Sequence, residues 1–147
     1  MLRNVTKLIF AVSFIFAQWS SDSSQNTLIE SARQSQLSPL VEVAVDGSTY
    51  IAWGDRRNTP SYDYRIKRLD FSGNIFESYT LSNQHSSSAA GNLEALESDK
   101  EHGVFVLWEQ ITDNRDELRL QHINSTLNAN GLVFDDNGLV LSGFECD

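Results

Sequence analysis

The sequence predicts an all-β protein: two tandem four-stranded antiparallel repeats behind an N-terminal signal peptide. Three observations carry that reading. Short β-prone runs ending in Trp recur about 55 residues apart. Asp-Gly and Asn-Gly pairs stand between such runs, at tight-turn positions. The first twenty or so residues have a basic-then-apolar pattern unlike the rest of the chain.

The N-terminal segment comes first. Arg3 and Lys7 form a positive flank, and Leu8 to Ala17 is apolar apart from Ser13. A membrane span needs about 20 apolar residues, so this run is too short to cross a bilayer and has the length of a secretory h-region. Ser20 to Ser24 is a polar exit. Ala17 is the best small residue for cleavage, without a clean Ala-x-Ala pattern. A buried core strand would explain the apolar run but not its basic flank or its terminal position. The expected organisation is a signal peptide at 1–21, a linker or stray outer strand at 22–36, repeat 1 at 37–83, a linker at 84–91 and repeat 2 at 92–147. The expected location is secreted, extracellular or at the cell surface, with no membrane span in the mature protein.

The chain carries a net charge of −9. Loss of Arg3 and Lys7 with the signal peptide takes the mature chain to −11. An acidic surface disfavours nucleic acid and anionic membranes as partners. Cys146 is the only cysteine, so an internal disulfide and a two-cysteine metal site are both excluded. The sheets are therefore expected to hold by packing alone.

The repeat emerges when the two halves are set side by side. Thr49-Tyr50-Ile51-Ala52-Trp53 matches Val104-Phe105-Val106-Leu107-Trp108, and Tyr64 to Leu69 matches Leu118 to Ile123. Gly73-Asn74-Ile75-Phe76 lies beside Gly131-Leu132-Val133-Phe134, and Thr80-Leu81-Ser82 beside Val140-Leu141-Ser142. Four matches in the same order, with small loop insertions, are far beyond what one chance match supplies. Strands are expected near 40–45, 48–53, 62–69 and 77–81, and again near 93–97, 103–108, 118–123 and 139–141. Asp46-Gly47 joins the first pair, and Asn130-Gly131 and Asn137-Gly138 supply later turns. The second strand is apolar on both faces, which places it between packed layers. The third alternates Tyr64 and Ile66 with Asp63, Arg65 and Lys67, so one of its faces is wetter.

Ser38-Pro39-Leu40, Asp46-Gly47, Tyr50 to Arg57, Tyr64 to Asp70 and Gly73-Asn74 together resemble the blade repeat of secreted bacterial β-propellers, loosely sialidase-like. Asn128 to Phe134 and Asn137 to Ser142 resemble the closing part of the same unit. The resemblance spans about residues 34–143 and implies two blades of a partial β-propeller. The second copy departs from it, with Trp108-Glu109-Gln110 in place of Trp-x-Asp-x-Arg, and the sialidase Asp-box is absent as such. Propellers close with about four to eight blades. The chain is accordingly expected to be a fragment of a larger propeller protein, with self-assembly or a small two-sheet sandwich as alternatives.

Candidate binding residues follow from the resemblance. Asp55, Arg56 and Arg57 lie in the loop between second and third strands of one copy, and Asp113 and Arg115 in that of the other. In a propeller such loops share a rim with the blade-to-blade connections, which implies a polar binding face. The plainer account is an Asp–Arg pair that ties the loop, or a solvated turn. No catalytic residue is assigned. Glycosidases use two positioned carboxylates, and among 20 acidic residues some pair always exists. A sialidase-like site also implies an arginine cluster and a Tyr nucleophile drawn from several blades, which two blades do not complete. His85, His102 and His122 lack metal-ligand spacing, and His122 takes the repeat position of Arg68. No cofactor is expected. Ca²⁺ at Asp135-Asp136-Asn137-Gly138 has hard oxygens in its favour but no EF-hand spacing. Asn124-Ser125-Thr126 is a glycosylation sequon.

The expected function is an exported non-catalytic β-repeat module for binding or adhesion, its partner an extracellular glycan or protein. The alternative is a truncated piece of a sialidase-like or other propeller glycoside hydrolase.

Overall fold

The computed structural model describes residues 26–33, 35–57, 63–81, 92–111, 115–124, 126, 130–135 and 137–145. The expected signal peptide and Cys146 lie outside them. The fold is all-β. Eight strands form two four-stranded antiparallel sheets: β1 (Gln36–Val43), β2 (Thr49–Asp55), β3 (Asp63–Leu69) and β4 (Ile75–Leu81) in the first, β5 (Leu93–Ser98), β6 (Val104–Ile111), β7 (Arg115–Ile123) and β8 (Leu139–Glu145) in the second. Each sheet is a simple meander in chain order, so each repeat is one blade-like unit. Among the described residues no helix is long and apolar enough to cross a membrane.

Turn chemistry sets the hairpins. Gly47 sits at φ 81° and closes β1–β2, where its amide bonds the Ala44 carbonyl at 2.9 Å. That φ is left-handed, which glycine adopts without a Cβ penalty. The Asp46 carboxylate accepts from the Ser48 amide and hydroxyl at 2.9 and 2.6 Å and stiffens the same turn. Between β3 and β4 the Asp70 carboxylate accepts from the Ser72 and Asn74 amides at 2.8 and 2.9 Å.

Strand β1 begins at Gln36, earlier than the pattern predicts. Pro39 lies inside it, which an interior strand would not tolerate. Here β1 is an edge strand, and a register irregularity between Leu37 and Leu40 carries Ser38 at φ 48°. The proline therefore bends the edge instead of ending it.

Cross-strand register divides each sheet into two faces. In the first sheet one face, called the front, holds Leu40, Glu42, Tyr50, Ala52, Tyr64, Ile66, Arg68 and Tyr79. The other face, the back, holds Val41, Val43, Ile51, Trp53, Asp55, Arg65 and Lys67. The repeat equivalence carries these faces across. The pair Ala52–Ile66 becomes Leu107–Leu120, and Tyr50–Arg68 becomes Phe105–His122, both on the front of the second sheet. Ile51–Lys67 becomes Val106–Gln121, and Trp53–Arg65 becomes Trp108–Arg119, on its back.

The core lies between the front of the first sheet and the back of the second. Tyr50, Ala52, Tyr64, Ile66 and Leu81 pack with Leu93, Leu96, Val104, Val106, Trp108 and Ile123 in one buried cluster. Trp108 is fully buried, and its ring centroid lies 6.4 Å from that of Tyr64. Burying one such side chain contributes roughly 2–3 kcal/mol. The stack is therefore heterologous: opposite faces of equivalent sheets meet.

Candidate functional site

Both loops expected to form a polar rim leave their sheets at the same end of the stack. The Tyr64 hydroxyl bonds the Glu109 carbonyl at 3.2 Å at that end, and the Tyr50 hydroxyl bonds the His102 carbonyl at 2.8 Å at the other. These two bonds align the sheets end to end. Residues 58–62 and 112–114 lie outside the described residues, and with them Asp113. Arg115 opens β7 opposite Glu145 of β8. The strand ends that flank the β2–β3 and β6–β7 connections thus lie at one end of the stack, while most of both connections lies outside the described residues.

Asp55 ends β2 on the back of the first sheet and is fully buried. Its carboxylate accepts from the Arg57 Nη2 and Nε at 2.6 and 2.9 Å and from the Arg57 amide at 2.9 Å. Arg65 Nε lies 3.4 Å away, as does the Trp53 indole nitrogen. Burial raises the Asp55 carboxyl, but the Arg57 hydrogen bonds outweigh it and hold the group below the usual carboxylate range. Asp55 is a buried hub that fixes the start of the rim loop.

Arg57 reaches further. Its Nη2 lies 2.6 Å from Glu30 Oε2 and ties the 26–33 segment to the back of the first sheet. Lys67 Nζ donates to the Ile29 carbonyl, lies 3.6 Å from Glu30 and sits 5.6 Å from the centre of the Trp53 ring. Burial raises the Glu30 carboxyl, yet the Arg57 bond and the Ala32 and Ser31 amides bring it down to about 2. The Arg56 amide bonds the Ser35 carbonyl at 3.2 Å. Sequence reasoning found Asp55 and Arg57 and missed Glu30. No spacing signal links a residue in an unpatterned segment to a strand end 25 or more positions later.

A second polar cluster supports the other end of the stack. Asp99 accepts from His122 Nε2 at 2.9 Å, Asn124 Nδ2 at 2.8 Å and the Glu101 and Gly103 amides at 2.7 and 3.0 Å. Burial opposes its charge, but these donors lower its carboxyl to about 2. Asn124 is fully buried, and its carbonyl oxygen accepts from the Thr126 amide and hydroxyl. The sequon asparagine is thus a structural residue that a glycan cannot reach in the folded chain. His122 lies over Phe105 with ring centroids 4.3 Å apart, as Arg68 lies 5.2 Å from the Tyr50 ring. The histidine fills its repeat position.

An open cleft of about 360 Å³ lies on the front of the second sheet, between Glu94, Leu107, Glu109, Asp116, Glu117, Leu118 and Ser142. Glu117 is bound to Arg119 at 2.5 Å. Among the described residues no three His, Cys, Asp or Glu side chains gather as metal ligands. The Asp135 carbonyl accepts from the Gly138 amide at 2.7 Å and from Gln121 Nε2 at 2.9 Å, closing a turn at the segment considered for Ca²⁺.

Fold and site together define an all-β protein of two stacked repeats, with Asp55, Arg57, Arg65 and Glu30 joined in one charged cluster on the first sheet. No family model, no curated protein and no solved structure matches the chain.

Proposed function

We propose that this chain is an exported, non-catalytic β-repeat module that binds an extracellular glycan or protein, and that it forms part of a larger propeller protein. One observation carries the reading: two blade-like sheets, aligned end to end, send their β2–β3 and β6–β7 connections out on one side. Loops on a rigid scaffold are the usual carriers of binding residues. Asp55 and Arg57 hold the loop entry rigid, so they position the rim, while Arg56, Asp113 and Arg115 are the candidates to meet a ligand. The engagement of Asp55 with Arg57 and Arg65 argues against Asp55 as a general acid or nucleophile.

A glycan array and an extracellular-protein pull-down with the purified chain test this. The expected result is a specific ligand whose binding weakens on Arg56→Ala, with the fold retained by circular dichroism. Failure to bind any glycan or protein would sink the reading. Turnover of aryl glycosides, abolished by substitution of Glu109 or Asp116 in the cleft, would replace it with the hydrolase alternative.

A further inference from the structure

We infer that the front of the second sheet is a docking face for a second copy of this chain, which would present the back of its first sheet. The repeat itself points to this face. Within one chain, the front of the first sheet is covered by the back of the second. The equivalent front in the second sheet carries Ala95, Phe105, Leu107, Leu118, Leu120 and Leu139. Tyr50 and Ile66 are fully buried, whereas Phe105 is 36% and Leu139 48% exposed, and Leu107 and Leu120 are half-buried. The same structural positions are closed in one sheet and open in the other.

The complementary surface is open along β1, while Trp53, the equivalent of Trp108, is buried beside the 26–33 segment. Within the chain β1 lies against β5. There Leu96 and Ser98 on the back of the second sheet are buried against the first. Their repeat equivalents are Val41 and Val43, which are 60% and 57% exposed. The 26–33 segment lies by Trp53, Arg57 and Lys67, and leaves these two valines open. An exposed apolar row thus faces outward at each end of the stack, and each row matches one half of an interface already built in the chain.

A polar mark fits the same register. Glu42 on the first front accepts a hydrogen bond from the Ser98 amide at 3.1 Å across the sheet boundary. Its equivalent, Glu97, is exposed on the second front, and the equivalent of Ser98 is Val43. The two tyrosine hydroxyls that reach across the built interface become Phe105 and Leu118 on the second front. That face lacks both hydroxyl donors, and carries Glu109 and Ser142 where its template has Gly54 and Leu81. The cleft beside Leu107 and Leu118 corresponds to the place where Ala52 and Tyr64 receive Trp108. Such a contact is head-to-tail, so copies add in one direction and close a ring only if the rotation permits.

Sedimentation of the purified chain tests the proposal, using Val41→Asp to block one face and Phe105→Asp to block the other. At about 100 µM the unaltered chain is expected to assemble, since even a micromolar Kd leaves little monomer there. Each variant alone is expected to be monomeric, and an equimolar mixture to form a species of two chains joined through the one intact face of each. Should Phe105→Asp lose its circular dichroism signal, Glu97→Arg takes its place, as Val43→Asp does for the other face. A monomeric unaltered chain at that concentration overturns the proposal. So does assembly that the variants leave intact, or a mixture that stays monomeric.

Discussion

The Tyr50 hydroxyl donates to the backbone carbonyl of His102, 2.8 Å away, and so joins the front of one sheet to the turn that opens the second strand of the next. Burial and the nearby carboxylates Glu77, Asp46 and Asp99 push the Tyr50 phenol well above its usual range, against the pull of Arg68. It therefore stays a donor at every ordinary pH. Tyr50→Phe keeps the ring and removes only this bond. The expected loss is about 1 kcal/mol, read as a shift in denaturant midpoint. An unchanged midpoint would mean the hydroxyl makes no net contribution.

Trp108→Ala is expected to cost far more. The indole is fully buried between the sheets, and removing a buried tryptophan costs roughly 3–5 kcal/mol. Because it touches both repeats, both should unfold together at a lower midpoint. Loss of one sheet with the other intact would show that the repeats are independent.

Glycine positions separate a local effect from an inter-sheet one. Gly47 and Gly131 both have positive φ, at 81° and 78°. A Cβ at Gly47 meets open space, whereas one at Gly131 would run into the Tyr79 ring of the other sheet. Gly47→Ala is expected to cost about 1 kcal/mol from backbone strain alone. Gly131→Ala is expected to cost clearly more, because strain and clash add. Equal costs in chemical denaturation would contradict the packing of Gly131 against Tyr79.

Acid should destabilise the fold through Glu30 and Asp99. Both carboxyls are brought to about 2, from ordinary values of 4.5 and 3.8. A depressed folded pKa stabilises fully above the unfolded value and loses that contribution as pH falls through the folded one. The window therefore runs from about pH 5 down to about pH 2, with up to about 2 kcal/mol at stake in each group. Denaturant midpoints across that window should fall steeply, and more gently in Glu30→Gln and Asp99→Asn. The same slope in those variants would assign acid sensitivity elsewhere.

Much of the fold was legible because the strand signals are local. Tyr50 to Trp53 and Val104 to Trp108 announce buried second strands, and Asp46-Gly47 announces its hairpin. The fourth strand of the second repeat was less legible. Leu132 bridges Ile123 as Ile75 pairs with Leu69, and then residues 133–138 interrupt before β8 resumes at Leu139. Gln121, fully buried, pins that insertion through the Phe134 amide and the Asp135 carbonyl. Nothing in the pattern marks a glutamine for such a task. A register irregularity then places Ser142, and not Leu141, opposite Leu118 where Leu81 stands opposite Tyr64. A one-residue shift of that kind leaves no trace in an alignment of apolar runs. At the rim, Asp55 and Arg57 were visible as a charged run. Their partnership with Glu30 was not, because it depends on how the chain entering β1 folds back.

Opposite faces of two equivalent sheets meet within one chain. Proton–proton Overhauser contacts on the purified chain test it most directly. Cross-peaks are expected between the Tyr64 ring and the Trp108 indole, whose centroids lie 6.4 Å apart, and between Tyr50 and the 102–104 turn. Cross-peaks linking Tyr50 or Tyr64 instead to Phe105 and Leu120 would show front meeting front, and would contradict it.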